Sequence, residues 1–228
     1  MIISRTPFRI SFFGGGTDYP DWYRKHGGAV LSTTFDKYCY ISARHLPPFF
    51  DHKYRITYSK VEDTKAIAEI QHPAIRAVLE ESSYPDGLEI HCDADLPARS
   101  GLGSSSSFVV GLLQSLQTLM GTSLEKKALA EEAIRIEQQV LQENVGSQDQ
   151  VAAAHGGLNL IEFKQDDTFK VNPIELIPQR LAELESHLML FFTGLSRIAS
   201  KVAKSKILNL HQRSDQLHRM RNQVNEAL

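Results

Sequence analysis

The chain has 228 residues, 42% apolar and 23% charged, with a net charge of −2 at pH 7; that suits one large domain, or one and part of another, around a substantial core, with no global field to recruit nucleic acid or an anionic membrane. Two cysteines, Cys39 and Cys92, exclude a disulfide framework or a cysteine metal cluster, and the nine histidines show no H-x-x-x-H or H-E-x-x-H spacing for zinc. No apolar run nears the roughly 18 residues of a membrane helix, and MIISRTPFRI lacks the basic flank and apolar stretch of a signal peptide, so a cytoplasmic protein is expected.

Residues 2–13 alternate at period two, with Phe8, Ile10 and Phe12 against Arg9, Ser11 and Phe13, which predicts a strand ending at Gly14-Gly15-Gly16. Residues 28–44 read as one or two β-branched and aromatic strands, and 53–59 as another with Tyr54, Ile56 and Tyr58 on one face. A helix is expected near 64–82, interrupted or split at Pro73. Residues 87–96 alternate again, Leu88, Ile90, Cys92 and Ala94 against Glu89, His91, Asp93 and Asp95. Phe108–Met120 is apolar nearly all round, as in a buried helix, with Gly121 as its cap. Thr122 and Glu125 fit a capping box for the next helix, whose stripe is Leu129, Ala133, Ile136 and Val140. Short strands are expected at 157–163 and 187–193. From about Ser196 the chain reads helical and basic, with Leu210, Leu217 and Val224 at helical spacing up to Leu228; the absence of a cap there predicts a helix cut short.

Between the strand at 87–96 and the buried helix lies Pro97-Ala98-Arg99-Ser100-Gly101-Leu102-Gly103-Ser104-Ser105-Ser106-Ser107. Glycines let backbone N–H groups face outward, and a helix starting at the serines aims its free N–H groups and positive dipole end at the loop. Together these form an anion site. A linker rarely sits between an alternating strand and an apolar helix. No Lys follows the glycines, so this is not a P-loop, and Ser106 stands where a Rossmann fingerprint needs glycine.

The loop, read as L-P-x-x-x-G-L-G-S-S, resembles the second motif of the GHMP kinases. Thr6-Pro7-Phe8-Arg9-Ile10, running through Gly14 to Thr17-Asp18-Tyr19, resembles the family's first motif, and Gly146-Ser147-Gln148-Asp149-Gln150 its G-x-x-D-Q. The three occur in the family's order, from Pro7 to about Gly157. The resemblance implies an α+β fold, the ribosomal protein S5 domain 2-like N-terminal domain over residues 1–187, and only the start of an α+β C-terminal domain over 188–228. The family's third glycine-rich motif is not found in this sequence, in line with a truncated second domain.

The resemblance further implies an ATP- and Mg²⁺-dependent sugar kinase. Asp149 would act as base with Arg9 as its cation. Pro97, Ser100, Gly101, Leu102, Gly103, Ser104, Ser105 and Ser106 would hold the triphosphate, and Ser105 with Glu137 the Mg²⁺. Gly15, Gly16, Thr17 and Asp18 would line the sugar pocket, and Arg197 would meet the substrate's own phosphate. F-F-G-G-G-T-D-Y-P is similar to the heptose 7-phosphate kinases. It implies phosphorylation of an anomeric hydroxyl for activated-heptose and surface-polysaccharide synthesis, with two glycines opening room for a longer sugar. The alternatives are a fucokinase- or galactokinase-like enzyme, an inactive ATP-binding fragment, and an S5-like nucleic-acid module carried by Lys201, Lys204, Lys206, Arg213, Arg219 and Arg221. Against the last stand Asp215, Glu226 and the negative total charge. The partners implied are a sugar phosphate and ATP, with neither nucleic acid nor membrane; a homodimer is compatible with this reading.

Overall fold

The computed structural model describes residues 1–82, 84, 87–98, 100–191 and 213–228. Arg197 and the lysines at 201, 204 and 206 lie outside them. The fold is mixed α and β. Strand β1 (Ile2–Phe13) breaks at the three glycines as its pattern predicts, and helix α1 (Pro20–His26) follows, with Pro20 opening its first turn. The run at 28–44 forms one long strand, β2 (Gly28–His45). Next come β3 (Tyr54–Thr57) and β4 (Val61–Thr64). Pro73 splits the helical stretch, leaving a 3₁₀ turn at Ile67–Glu69 before α2 (Pro73–Glu81). Strand β5 (Leu88–Ala94) leads through the glycine–serine loop to α3 (Ser104–Leu119).

Beyond α3 lie α4 (Lys126–Arg135), continued by a π-helical turn at Ile136–Val140, and α5 (Gln148–His155). Then follow β6 (Leu158–Phe163), β7 (Phe169–Pro173), α6 (Pro178–Ser186) and α7 (Ser214–Ala227). The sheet runs β4-β3-β5-β2-β6-β7, with β1 paired to β2. All of these pairings are antiparallel except β3 with β5. Length lets β2 carry β5 on its C-terminal half and β6 on its N-terminal half.

Two faces of this sheet are covered. Phe8, Ile41, Ile56, Leu88 and Ile90 are buried against Val109, Leu112 and Leu116 of α3 and Ile75 and Leu79 of α2. On the opposite face, Ala29 and Leu31 meet Val224 of α7, while Val30 between them joins Val151 and Ile161; alternation along β2 produces this division. Cys39 and Cys92 are free thiols, and burial pushes both up to about 12. No described helix is long and apolar enough to cross a membrane.

Two local expectations are corrected. Thr122 does not cap α4: its hydroxyl donates to Gln117 O at 3.0 Å and Gln117 Oε1 at 2.6 Å, closing α3 instead. Gly121, at φ +76, turns the chain there, so Thr122 still belongs to the preceding helix end, and Glu125 stands at the N-cap of α4 without a capping bond. At 187–193, the described residues His187–Phe191 form no strand; they leave α6 with Met189 and Phe191 exposed.

Candidate active site

The loop after β5 and the first strand are tied together by a defect in the sheet. The β1–β2 register slips between Pro7, opposite Tyr38, and Arg9, opposite Thr34. The Arg9 N–H donates to Leu102 O at 3.1 Å, so the slip gives β1 a bond to the glycine–serine loop. The Arg9 side chain completes the tie. Its Nη1 donates to Gly101 O at 2.9 Å, and Nε and Nη2 donate to Asp149 Oδ1 and Oδ2, both at 2.7 Å. This fork fixes the carboxylate's plane as well as its distance. Arg9 is 13% and Asp149 25% exposed in their side chains, so the pair is mostly buried with Asp149 still reachable.

Gly101 and Gly103 have φ +80 and +79, the left-handed region that glycine enters without a steric cost. Gly103 is the residue before α3, and a Cβ on it would stand 3.2 Å from Arg9 Cγ and 3.5 Å from Asp149 Oδ2. Glycine therefore lets the start of α3 approach the ion pair. Ser107 Oγ donates to Pro7 O at 2.8 Å, anchoring the first turn to β1. Gly101, Ser100 and Ser105 are exposed, with the first-turn N–H groups of α3 beside them. Pro97 is exposed at the loop's entry, and Ser104 occupies the first helical position.

Glu137 meets the same turn from the other side. Ser105 and Ser106 donate to its two carboxylate oxygens at 2.8 and 2.7 Å, and Gln150 Nε2 donates to Oε2 as well. Glu137 is fully buried. Burial pushes its carboxyl up to about 7, against the lowering effect of those three donors. It stands in the π turn, whose i→i+5 bond runs from Leu141 N to Ile136 O at 2.9 Å. Such a turn rotates a side chain out of the regular helical phase. The sequence flagged Glu137 but not Gln150; the signal was there, because Gln150 ends the same five-residue motif as Asp149.

Asp18 is the third carboxylate. It is 1% exposed, and accepts from Gly16 N at 2.8 Å and Gln148 N at 3.3 Å. Burial raises its pKa first and the nearby Asp149 second, against the lowering by those N–H donors. Gly146 makes the approach possible: a Cβ there would lie 1.9 Å from Asp18 Oδ2. Asp18, Arg9, Asp149, Glu137 and the serines thus converge, although they come from β1, its following loop, α3, the π turn and α5.

At each glycine of the triplet, protein atoms stand within 4 Å of where a Cβ would be. Gly14 and Gly16 have φ +82 and +102, and their missing side chains point at β2 and α7 for Gly14 and at α7 for Gly16. A Cβ on Gly14 would lie 1.9 Å from Ala29 O and 2.8 Å from Val224 Cγ2, and one on Gly16 3.3 Å from Leu217 Cδ2. At Gly15 a Cβ would face Ser11 Oγ at 3.2 Å. Thr17 does not offer its side chain to a pocket. It is fully buried, its hydroxyl donating to Gly14 O and Ala29 O and accepting from Ala29 N.

The family model described as the GHMP kinases N terminal domain matches residues 67–157. The D-glycero-alpha-D-manno-heptose 7-phosphate kinase of Campylobacter jejuni is 30% identical over 214 residues, 90% of this chain and 63% of its own. The L-fucokinase/L-fucose-1-P guanylyltransferase of Bacteroides fragilis is 26% identical over 92% of this chain and 26% of its own. A crystal structure described as that of a D-glycero-D-manno-heptose 1-phosphate kinase, from Bacteroides thetaiotaomicron, superposes with a TM-score of 0.77 at 26% identity, over 93% of this chain and 72% of that one. The chain spans less than two thirds of the curated relatives named here. Residues 67–157, which hold the glycine–serine loop, Glu137 and Asp149, match the GHMP kinase N-terminal domain, and the relatives named here are described as kinases of sugars.

Proposed function

We propose that this protein transfers the γ-phosphoryl group of ATP to the anomeric hydroxyl of a sugar, with D-glycero-D-manno-heptose 7-phosphate as substrate and the 1,7-bisphosphate as product. The observation that carries this reading is the Arg9–Asp149 fork held against the N-terminus of α3. It sets a proton acceptor beside an anion site, the pairing that phosphoryl transfer to an alcohol needs. The heptose assignment is supported by the Campylobacter relative and by the F-F-G-G-G-T-D-Y-P run. The fucokinase and galactokinase relatives favour a different sugar on the same machinery.

In this mechanism Asp149 accepts the proton as the anomeric oxygen bonds to the γ-phosphorus, and the bond from phosphorus to the β–γ bridging oxygen breaks. Arg9 holds Asp149 in plane and adds positive charge beside the transferring group. Gly101, Leu102, Gly103, Ser104, Ser105 and Ser106 hold the phosphates by backbone N–H groups and hydroxyls, with Pro97 and Ser100 shaping the loop's mouth. Asp18 binds sugar hydroxyls, the backbones of Gly15 and Gly16 line its pocket, and Thr17 holds that wall in place from behind. The Ser105 hydroxyl and the Glu137 carboxylate are hard oxygen donors, which fit Mg²⁺. Bound there, the ion would neutralise phosphate charge. Residues 1–187 form the nucleotide- and sugar-binding unit in this reading, and 188–228 open a second one, with Arg197 assigned to the substrate's phosphate.

A panel of sugars tests the substrate. ATP consumption with heptose 7-phosphate should far exceed that with galactose or fucose. Equal rates would reject the heptose assignment while leaving the kinase reading intact.

A further inference from the structure

The sugar-kinase reading leaves two polar side chains beside the site without a role. Ser11 lies two residues along β1 from Arg9, over a stretch of unbroken register, and therefore on the same strand face. Gln148 immediately precedes Asp149 at the start of α5. They converge at Gly15, where a Cβ would lie 3.2 Å from Ser11 Oγ and 3.6 Å from Gln148 Nε2. Gln148 is 8% exposed. Its backbone N–H holds Asp18 Oδ2, so its side chain starts from the edge of the Asp18 pocket.

Ser11 Oγ and Gln148 Oε1 are both buried, and neither has a hydrogen-bond partner among the described residues. Their polar neighbours differ. Thr17 and Ser107 both place a side-chain donor on a protein acceptor. A buried polar group with an unmade bond bears its full desolvation cost, so packing alone would favour an apolar side chain at either position. Ser32, directly across from Ser11 on β2 and fully buried, is likewise unpartnered among the described residues.

We propose that Ser11 and Gln148 form a hydrogen-bonding wall of the sugar pocket at Gly15, reading a hydroxyl of the polyol other than the one Asp149 serves. A hydroxyl donates one bond and accepts others, and the wall offers both partners. The carboxamide supplies one donor end and one acceptor end whichever way it is turned, and the serine hydroxyl rotates to suit. Ser11 and Gln148 are thus specificity-determining residues, separate from the Arg9–Asp149 pair and from the phosphate loop. The proposal rests on the sugar-kinase reading and goes beyond it by assigning hydroxyl discrimination to named side chains.

The test is calorimetric binding of heptose 7-phosphate and of analogues each lacking one ring hydroxyl. Unmodified protein, Gln148→Leu and Ser11→Ala are compared, with a non-hydrolysable ATP analogue as second ligand. A site built to hydrogen-bond a hydroxyl rejects the analogue without it. Unmodified protein should therefore bind one deoxy analogue at least about 10-fold more weakly than the parent sugar. Gln148→Leu should weaken the parent by a similar factor and erase that one discrimination, Ser11→Ala should narrow it, and nucleotide affinity should stay constant. Discrimination that survives in both variants overturns the proposal, as does an equal loss for every sugar and for the nucleotide. If Gln148→Leu does not fold, Ser11→Ala decides alone. Failure of every sugar to bind the unmodified protein removes the kinase reading and this proposal together.

Discussion

At the residue scale, two of the site's three carboxylates are held under opposite constraints. Asp149 is reachable and forked by Arg9, while Glu137 is sealed and held by three neutral donors. If Asp149 accepts the proton, Asp149→Ala should lower turnover by roughly 10²–10⁴ and leave nucleotide affinity largely unchanged; a loss of nucleotide binding instead would move Asp149 to a metal-holding role. Glu137 makes a prediction about stability. Its carboxyl rises from 4.5 to about 7 on folding, so between those values the folded state binds more protons than the unfolded one. Its contribution is present below the unfolded value and is lost as pH rises through the folded one. Without divalent cation, Glu137→Gln should raise the unfolding free energy at pH 8 by at most about 3.5 kcal/mol, at about 1.4 kcal/mol per unit. The gain should vanish near pH 4. Urea denaturation at both pH values reads it, and an unchanged or lowered midpoint at pH 8 would show that the three donors already offset the burial. The same substitution should weaken Mg²⁺-dependent nucleotide binding, so that function and stability move in opposite directions.

Elements differ in how clearly the sequence announces them. β1, β5 and α3 were legible because burial writes itself as a period: one sheet face, or a helix covered all round. β4 and β7 were not, because short edge strands such as V-E-D-T and F-K-V-N-P bury too little to alternate. The capping box at Thr122 was misread because a hydroxyl between two helices serves whichever end its backbone follows. For the glycine triplet, spacing identified the loop and left the direction of each missing side chain unknown. Close approach and left-handed backbone are separable causes, and three substitutions separate them. Gly157, at φ +82 with no atom within 4 Å of where a Cβ would stand, should lose only about 1–2 kcal/mol as alanine, the cost of the backbone region alone. Gly14→Ala adds a clash with Ala29 O at 1.9 Å, and should cost well beyond that or prevent folding. Gly146→Ala has the clash without the positive φ, and the struck atom is Asp18 Oδ2. It should weaken sugar binding more than it lowers the urea midpoint. Similar stability losses at Gly157 and Gly14 would contradict the role given to close approach.

On the scale of the whole molecule, the proposed sugar pocket leans on a helix distant in sequence. Leu217 and Val224 repeat at helical spacing, which was legible; that they press on the glycine loop was not, because the contact joins residues some 200 positions apart. Leu217 joins Trp22 and packs with Tyr19, the residue after Asp18. It also stands over Gly16, whose N–H holds Asp18 Oδ1 at 2.8 Å. Val224 does the same for Gly14 and for Ala29 and Leu31 of β2. Glycine at 14 and 16 therefore lets α7 dock, and the docked helix in turn holds the wall that carries Asp18. A cavity in place of Leu217 should let Gly16 relax toward α7 and turn its N–H away from the carboxylate. Leu217→Ala should cost about 2–3 kcal/mol in stability, the low end for a leucine that is nearly but not wholly buried. It should also weaken sugar affinity while sparing nucleotide affinity, because the phosphate loop is anchored through Pro7, Arg9 and Glu137, not through α7. Leu217→Met, which refills most of the volume, should recover sugar binding. If Leu217→Ala lowers stability and leaves sugar affinity unchanged, α7 is a cover for the sheet and no part of the pocket's support.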